Sequence, residues 1–158
     1  MGIQIKRATA EHFLAIAALD RVAWTENRYS TYIPDGEHVW KLWVEHGYVY
    51  VAMDGNEVVG AIQAFQCLTP HLFSLHKVFV KKEYRAKKVG SMLMEVFLKE
   101  MDRVKGDCFL TVDPVNNNAI ALYEKWGFLE KEFHKGYYRP EEDRYVLTRR
   151  AILKTVKN

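Results

Sequence analysis

Residues 81 to 88, KKEYRAKK, set five cations against one acid, which is more positive charge than the net +3 of the whole 158-residue chain. The apolar run VFV precedes them and VGSMLMEVF follows, so the charge sits where a strand gives way to a helix. That placement has a chemical meaning. The first N–H groups of a helix lack internal partners, and the helix dipole makes that end positive. Strand, turn and helix start together form a cradle for a phosphate-bearing ligand. Gly90 permits close backbone approach, Ser91 adds a hydroxyl, and Lys81, Lys82, Arg85, Lys87 and Lys88 supply the field. A solvated basic loop is the alternative; charge alone favours it, and the strand–helix placement favours the phosphate.

A second segment, NNNAIALYEKWGF from Asn116 to Phe128, reads as a helix that carries Tyr123 and ends at Gly127. The two segments together resemble the motifs of a known family. YRAKKVGSMLM resembles the acyl-CoA-binding motif of the GNAT superfamily of N-acyltransferases, which runs Arg or Gln, two residues, Gly, one residue, then Gly or Ala. Arg85 takes the first position and Gly90 the last, while Lys88 stands where the middle glycine usually is. The family's second motif is matched by Asn116, Ala119, Leu122, Tyr123, Gly127 and Phe128. The resemblance covers essentially the whole chain and is weakest over residues 10 to 48.

The resemblance implies acetyl-CoA as a cosubstrate. Its pantetheine arm would lie in an opening between the fourth and fifth strands and bond to backbone near Val78 and Val80. Its pyrophosphate would sit beside Arg85 on the N–H groups of Ala86, Lys87, Lys88, Val89, Gly90 and Ser91. Asn116 and Tyr123 would border the cofactor, with Tyr123 beside the sulfur as general acid. Lys88 either adds a phosphate contact or weakens the close approach.

Acetyl transfer to an amine also needs a free lone pair on nitrogen. The resemblance places a base at Ser74 or Thr111, and neither is basic at neutral pH. His76 lies two residues from Ser74 and shares its face in a regular strand, so it is a candidate base, directly or through water. A histidine with no chemical role is an equal reading of the same residue. Glu26, in the loop where the family forms its acceptor groove, is a weaker candidate.

A weak base informs the choice of acceptor. Deprotonating a lysine amine at pH 7 costs roughly 4.6 kcal/mol, whereas an α-amine costs roughly 1 kcal/mol. Such a site favours α-amines, or amines desolvated on binding. HKGYYRPEEDRYVLTR resembles the tail of enzymes that acetylate protein N-termini, with Tyr137 and Tyr138 at the tyrosines that line the peptide groove. Trp24, Tyr29 and Tyr32 are expected on the opposite side, where aromatic faces suit a cationic amine. A small-molecule amine such as an amino acid or polyamine stays open as acceptor. For a polyamine, Asp35, Glu37, Glu141, Glu142 and Asp143 would supply an acidic groove, unless they are solvated turn residues.

These residues need a scaffold. IQIKRA alternates like a strand, and Thr9 is placed to cap a helix through AEHFLAIAALDRVAW, with Phe13, Ile16, Ala17 and Ala18 near one face. TENRYSTYIPDG is a loop, and EHVWKLWVEH a helix whose Trp40 and Trp43 belong to the core. Asp54-Gly55-Asn56 joins two apolar strands as a hairpin. LFSLHKVFV is the next strand, and VGSMLMEVFLKEMDRV a helix by the period of Val89, Met92, Leu93, Val96, Phe97 and Met101, stopped at Gly106-Asp107. CFLTVD, the Tyr123 helix and two tail strands around a Pro-Glu-Glu-Asp turn complete the chain. The order gives an α/β (α+β) fold in a single domain over residues 1–158. Its mixed, mostly antiparallel sheet has about seven strands, with about four helices flanking it. The resemblance adds that the sheet splays between strands 4 and 5.

Composition narrows the classes. Hydrophobic residues at 49% and charged residues at 27% describe an ordinary globular domain. Cys67 and Cys108 show no metal-ligand spacing, and a disulfide framework is not expected. No apolar run approaches the ~20 residues that span a bilayer, and the N-terminus lacks a signal-peptide layout, so a cytoplasmic setting without membrane contact is expected. A nucleic-acid partner is not expected, because the basic turn has no basic face around it. A non-catalytic acyl-CoA-binding module is the competing reading. In this fold exposed edge strands often pair between chains, so a homodimer is one assembly to test.

Overall fold

Strands form where apolar residues alternate between turn formers, and helices where the apolar period lengthens to 3.6. In the computed structural model, which describes residues 2–153, the described residues form seven strands, four α-helices and one 3₁₀ helix. They run β1 (Gln4–Arg7), α1 (Phe13–Trp24), α2 (Glu37–His46), β2 (Tyr48–Asp54), β3 (Glu57–Gln66) and β4 (Leu72–Val80). The 3₁₀ helix (Lys82–Lys87), α3 (Val89–Arg103), β5 (Asp107–Val112), α4 (Asn117–Lys125), β6 (Glu130–His134) and β7 (Arg144–Arg149) follow. The strand order is β1-β2-β3-β4-β5-β7-β6, mostly antiparallel, with β4 and β5 parallel. Among the described residues that parallel ladder joins only Leu72, Phe73 and Ser74 to Asp107, Cys108 and Phe109, although β4 continues to Val80 and β5 to Val112.

The chain divides into two compact units. The first holds the described residues up to Phe65 together with Lys77–Lys99. Its β2–β3 hairpin turns at Gly55, whose φ of 59° is the left-handed conformation that glycine adopts without strain. Ile16, Ala17, Trp40 and Val44 from α1 and α2 pack with Val49, Val51, Ala61 and Phe79 from the strands. Trp40 meets both Trp43 and Phe79 edge to face. Gly60 keeps α3 close to this sheet, because a Cβ there would lie 3.1 Å from the Phe79 carbonyl oxygen and 3.2 Å from Leu93 Cδ1.

Two local readings need correction. Thr9 does not cap α1; its N–H donates to His12 Nδ1 at 2.9 Å, and the helix starts one turn later, at Phe13. On α1 the buried face includes Asp20, 2% exposed, while Ala18 is exposed. Asp20 accepts from Trp40 Nε1 at 3.0 Å and pairs with Lys77 Nζ at 3.2 Å. Lys77 also reaches Asp35 at 3.0 Å. A buried carboxylate persists only with such partners.

The second unit holds Gln66–His76 and the described residues from Glu100 onward. α3 ends through Lys105 at φ 57°. Gly106 is required for packing, since a Cβ there would lie 2.6 Å from the Phe73 ring. Asn116 caps α4 by accepting the Ala119 N–H at 3.2 Å, and Gly127 stops it at φ 97°. The loop before β7 is tied from within: Glu142, 4% exposed, accepts from Arg139 at 2.6 Å and Arg144 at 3.0 Å, and Asp143 accepts the Gly136 N–H at 2.8 Å. Glu142 and Asp143 are therefore structural acids, neither a solvated turn nor an open acidic groove. Both cysteines are free thiols.

Arg149, 5% exposed, donates to both Asp102 oxygens at 2.9 and 3.1 Å and to the Trp126 carbonyl at 3.2 Å. Burial alone would raise the Asp102 carboxyl, but Arg149 and the Ile152 N–H outweigh it and hold the group below the usual carboxylate range. A depressed folded pKa gives stability that is present above the unfolded value and lost as pH falls through the folded one. Arg149→Ala should lower unfolding free energy at pH 7 by about 3 kcal/mol in urea titrations. The gap from the native protein should shrink as pH drops below the carboxylate range.

Candidate active site

The basic segment is not a loose turn. Lys81 donates its N–H to the Val59 carbonyl at 2.8 Å, and residues 82–87 wind into the 3₁₀ helix. The Tyr84 hydroxyl donates to Asp54 Oδ2 at 2.6 Å, a bond that, with burial and the nearby carboxylate charges, pushes the phenol up to about 12. Lys81 pairs with Glu57, which raises the ammonium's pKa. Arg85 donates Nε–H to the Val80 carbonyl at 3.0 Å and its two terminal nitrogens to Glu26 at 2.8 and 3.0 Å. That hydrogen-bonded pair holds the Glu26 carboxyl below its ordinary range. Lys87 lies 4.9 Å from the Tyr84 ring centroid. Three of the five cations thus have partners within the unit, a correction to the picture of an unshared field. Among the described residues Lys82 and Lys88 carry no ion pair.

The position of Lys88 explains why this motif ordinarily has glycine in the middle. Its φ of 60° and ψ of 22° place it in the left-handed region, where the chain leaves the 3₁₀ helix and α3 begins. A side chain there costs about 1–2 kcal/mol. Lys88 tolerates the position with its side chain exposed. The helix ladder includes a bond from the Met92 N–H to the Lys88 carbonyl at 3.1 Å, so Val89, Gly90 and Ser91 present the helix's leading N–H groups. Gly90 is half-buried, with Val80 Cγ2 at 3.7 Å from where a Cβ would stand, which leaves room for the Gly-or-Ala alternation. Val78 and Val80 are half-buried on β4, and Ala86, Lys87 and Ser91 are exposed.

The loop between α1 and α2, also in the first unit, is built around Trp24. Its indole N–H donates to the Tyr32 carbonyl at 3.1 Å, and Lys77 Nζ lies 5.4 Å from its ring centroid. Trp24 thus shapes the loop, and a cation of the chain itself already faces its ring. Tyr29 stacks on Tyr32 with centroids 6.0 Å apart, and Arg28 lies 4.8 Å from the Tyr29 centroid.

In the second unit, Tyr123 is half-buried on α4 and meets Phe128 edge to face at 5.9 Å. Burial pushes its phenol above the ordinary tyrosine value. Among the described residues nothing hydrogen-bonds its hydroxyl. The Asn116 side-chain oxygen accepts the Ala119 N–H and so caps the helix that carries Tyr123. On β4, Ser74 is buried and His76 exposed. No local pattern signals one further contact: Thr111 Oγ1 lies 2.8 Å from the Tyr138 hydroxyl. Tyr138 also meets Tyr137 edge to face at 4.8 Å and has Arg144 at 5.2 Å from its ring centroid. The strand position lacking a base instead anchors Tyr138. The candidates therefore fall into a basic turn and aromatic loop on one unit and a phenol with a tyrosine cluster on the other.

Comparisons with known proteins bear on this arrangement. The N-alpha-acetyltransferase of Saccharolobus solfataricus is 39% identical over 74 residues, which cover 46% of this chain and 44% of that protein. The mycothiol acetyltransferase of Corynebacterium efficiens is 33% identical over 101 residues, 60% of this chain and 32% of that protein. The chain thus spans less than half the length of these curated relatives. In fold it is similar to the ribosomal-protein-S18-alanine N-acetyltransferase from Escherichia coli, with a TM-score of 0.78 at 20% identity over 99% of this chain and 98% of that one. A family model described as the Acetyltransferase (GNAT) family matches residues 13–128, and the chain belongs to that family.

Proposed function

We propose that the protein transfers the acetyl group of acetyl-CoA to a primary amine by direct attack in a ternary complex, with a peptide α-amine as the preferred acceptor. The observation that carries this reading is Tyr123. A phenol with a burial-raised pKa and no hydrogen-bond partner among the described residues stays protonated at neutral pH and has its proton to give. In this reading the leading N–H groups of α3, with Lys88 and Arg85, hold the cofactor phosphates, and backbone near Val78 and Val80 holds the pantetheine arm. When bound, acetyl-CoA supplies the thioester carbonyl that the amine attacks. Tyr123 protonates the departing thiolate, and His76, exposed on β4, takes the proton released by the amine.

The choice of an α-amine rests on two supports. Ser74 and Thr111 offer no strong base, which suits an acceptor whose pKa lies near neutrality. Tyr138, held by Thr111 and Arg144, and Tyr137, packed edge to face on it, form an exposed aromatic cluster suited to a peptide. We take the chain as one acyltransferase domain and assign it to the cytoplasm; no helix among the described residues is long and apolar enough to cross a membrane.

Release of free CoA over a panel of peptides, amino acids and polyamines tests the reading. Tyr123→Phe should lower kcat by about 10²-fold or more and leave the acetyl-CoA Kd within about threefold. Equal loss in both would reduce Tyr123 to a packing residue. A general acid with a raised pKa loses its proton only at higher pH, so kcat should rise with pH through the acceptor α-amine's pKa near 8, level off near pH 9 and hold to about pH 10. Thr111→Val should raise KM for peptides several-fold without moving the acetyl-CoA Kd, as Tyr138 loses its anchor; an unchanged peptide KM would remove the tyrosine cluster from the acceptor site.

A further inference from the structure

Arg85 is the motif residue expected beside the cofactor phosphates, yet its donors are already engaged. A guanidinium has two edges that present a pair of parallel N–H bonds, and phosphates are gripped through such pairs. Glu26 occupies the edge formed by the two terminal nitrogens, at 2.8 and 3.0 Å. The other edge includes Nε–H, which donates to the Val80 carbonyl at 3.0 Å. Neither two-donor edge is open. Glu26 belongs to the loop after α1, 59 residues from Arg85 in sequence, where the acceptor is expected.

Resting on the acetyl-CoA reading above, we propose that Glu26 is an internal stand-in for the cofactor pyrophosphate, displaced from Arg85 when the cofactor binds and thereby freed to receive the acceptor's ammonium group. Lys82 and Lys88, which carry no ion pair among the described residues, make first contact with the phosphates, and the Lys82 charge also acts on Glu26. The exchange trades one anion for another on Arg85, so it proceeds without leaving the guanidinium unpaired. It couples the two substrates in a fixed order, cofactor first. It also gives the carboxylate a second partner of the same charge as the one it leaves.

The two halves of this proposal have opposite signs in one variant. Glu26→Gln keeps the side-chain shape and removes the competing charge. By isothermal titration calorimetry it should bind CoA about two- to fivefold more tightly than the native protein, the scale of an exposed ion pair. S-acetylpantetheine, which lacks the pyrophosphate, should bind both proteins equally. The acceptor KM should rise by a similar factor. Glu83→Gln removes an acid from the same turn that makes no bond to Arg85, and should tighten CoA less. In an Arg85→Gln background the effect of Glu26→Gln on CoA should vanish. Weaker or unchanged CoA binding by Glu26→Gln, an equal gain from Glu83→Gln, or a gain that persists without Arg85 would each overturn the exchange while leaving the acetyltransferase reading intact. Absence of CoA binding by the native protein would overturn that reading and the exchange with it.

Discussion

The reversal from β4 into α3 is the constraint on which the proposed cofactor side depends. A helix N-terminus binds an anion usefully only if its N–H groups are held in place before the anion arrives. Here the Lys81 N–H is fixed to Val59, Arg85 Nε–H to Val80, and the Tyr84 hydroxyl to Asp54 at the hairpin. Lys88 in the left-handed region then turns the chain from the 3₁₀ helix into α3. Leu93, seated over Gly60, anchors the helix that follows. Each bond lies within the first unit, so the cradle is set by that unit's own packing.

In the proposed chemistry the second unit answers a different requirement. A group that must donate a proton at neutral pH has to keep it, and burial of a phenol does that without a charged neighbour. α4 holds Tyr123 through its Asn116 cap and Gly127 stop, and Phe128 packs on the ring. Around Glu142 a different economy applies: a buried carboxylate with two arginines stiffens the loop that displays Tyr137 and Tyr138. The proposed function draws on a positive turn held by its own unit, an uncharged phenol and an exposed aromatic pair. A strong base is missing from the positions where the family places one. An acceptor with an α-amine needs less help from a base than a lysine does, so its absence fits the proposed chemistry.

Much of this was legible in the sequence where the signal is local. α2 and β4 follow the read segments residue for residue, because apolar period and flanking breakers decide them. The hairpin at Gly55 and the stop at Gly127 follow from backbone conformations that favour glycine. The illegible parts are long-range. Nothing local marks Asp20 for burial; its partner Lys77 lies 57 positions away. The pairing of Glu26 with Arg85 and of Thr111 with Tyr138 depends on tertiary folding in the same way. The Thr9 reading failed for a local reason: His12 offered its ring nitrogen to the threonine N–H and so shifted the helix start.

The claim at the centre of this account is that the protein acetylates α-amines from acetyl-CoA. The most direct measurement incubates the native protein with acetyl-CoA and a peptide bearing both a free N-terminus and an internal lysine, and locates the product acetyl group by tandem mass spectrometry. The account predicts one acetyl group, on the α-nitrogen. Acetylation of the lysine instead, or an unmodified peptide with acetyl-CoA bound to the protein, would contradict it.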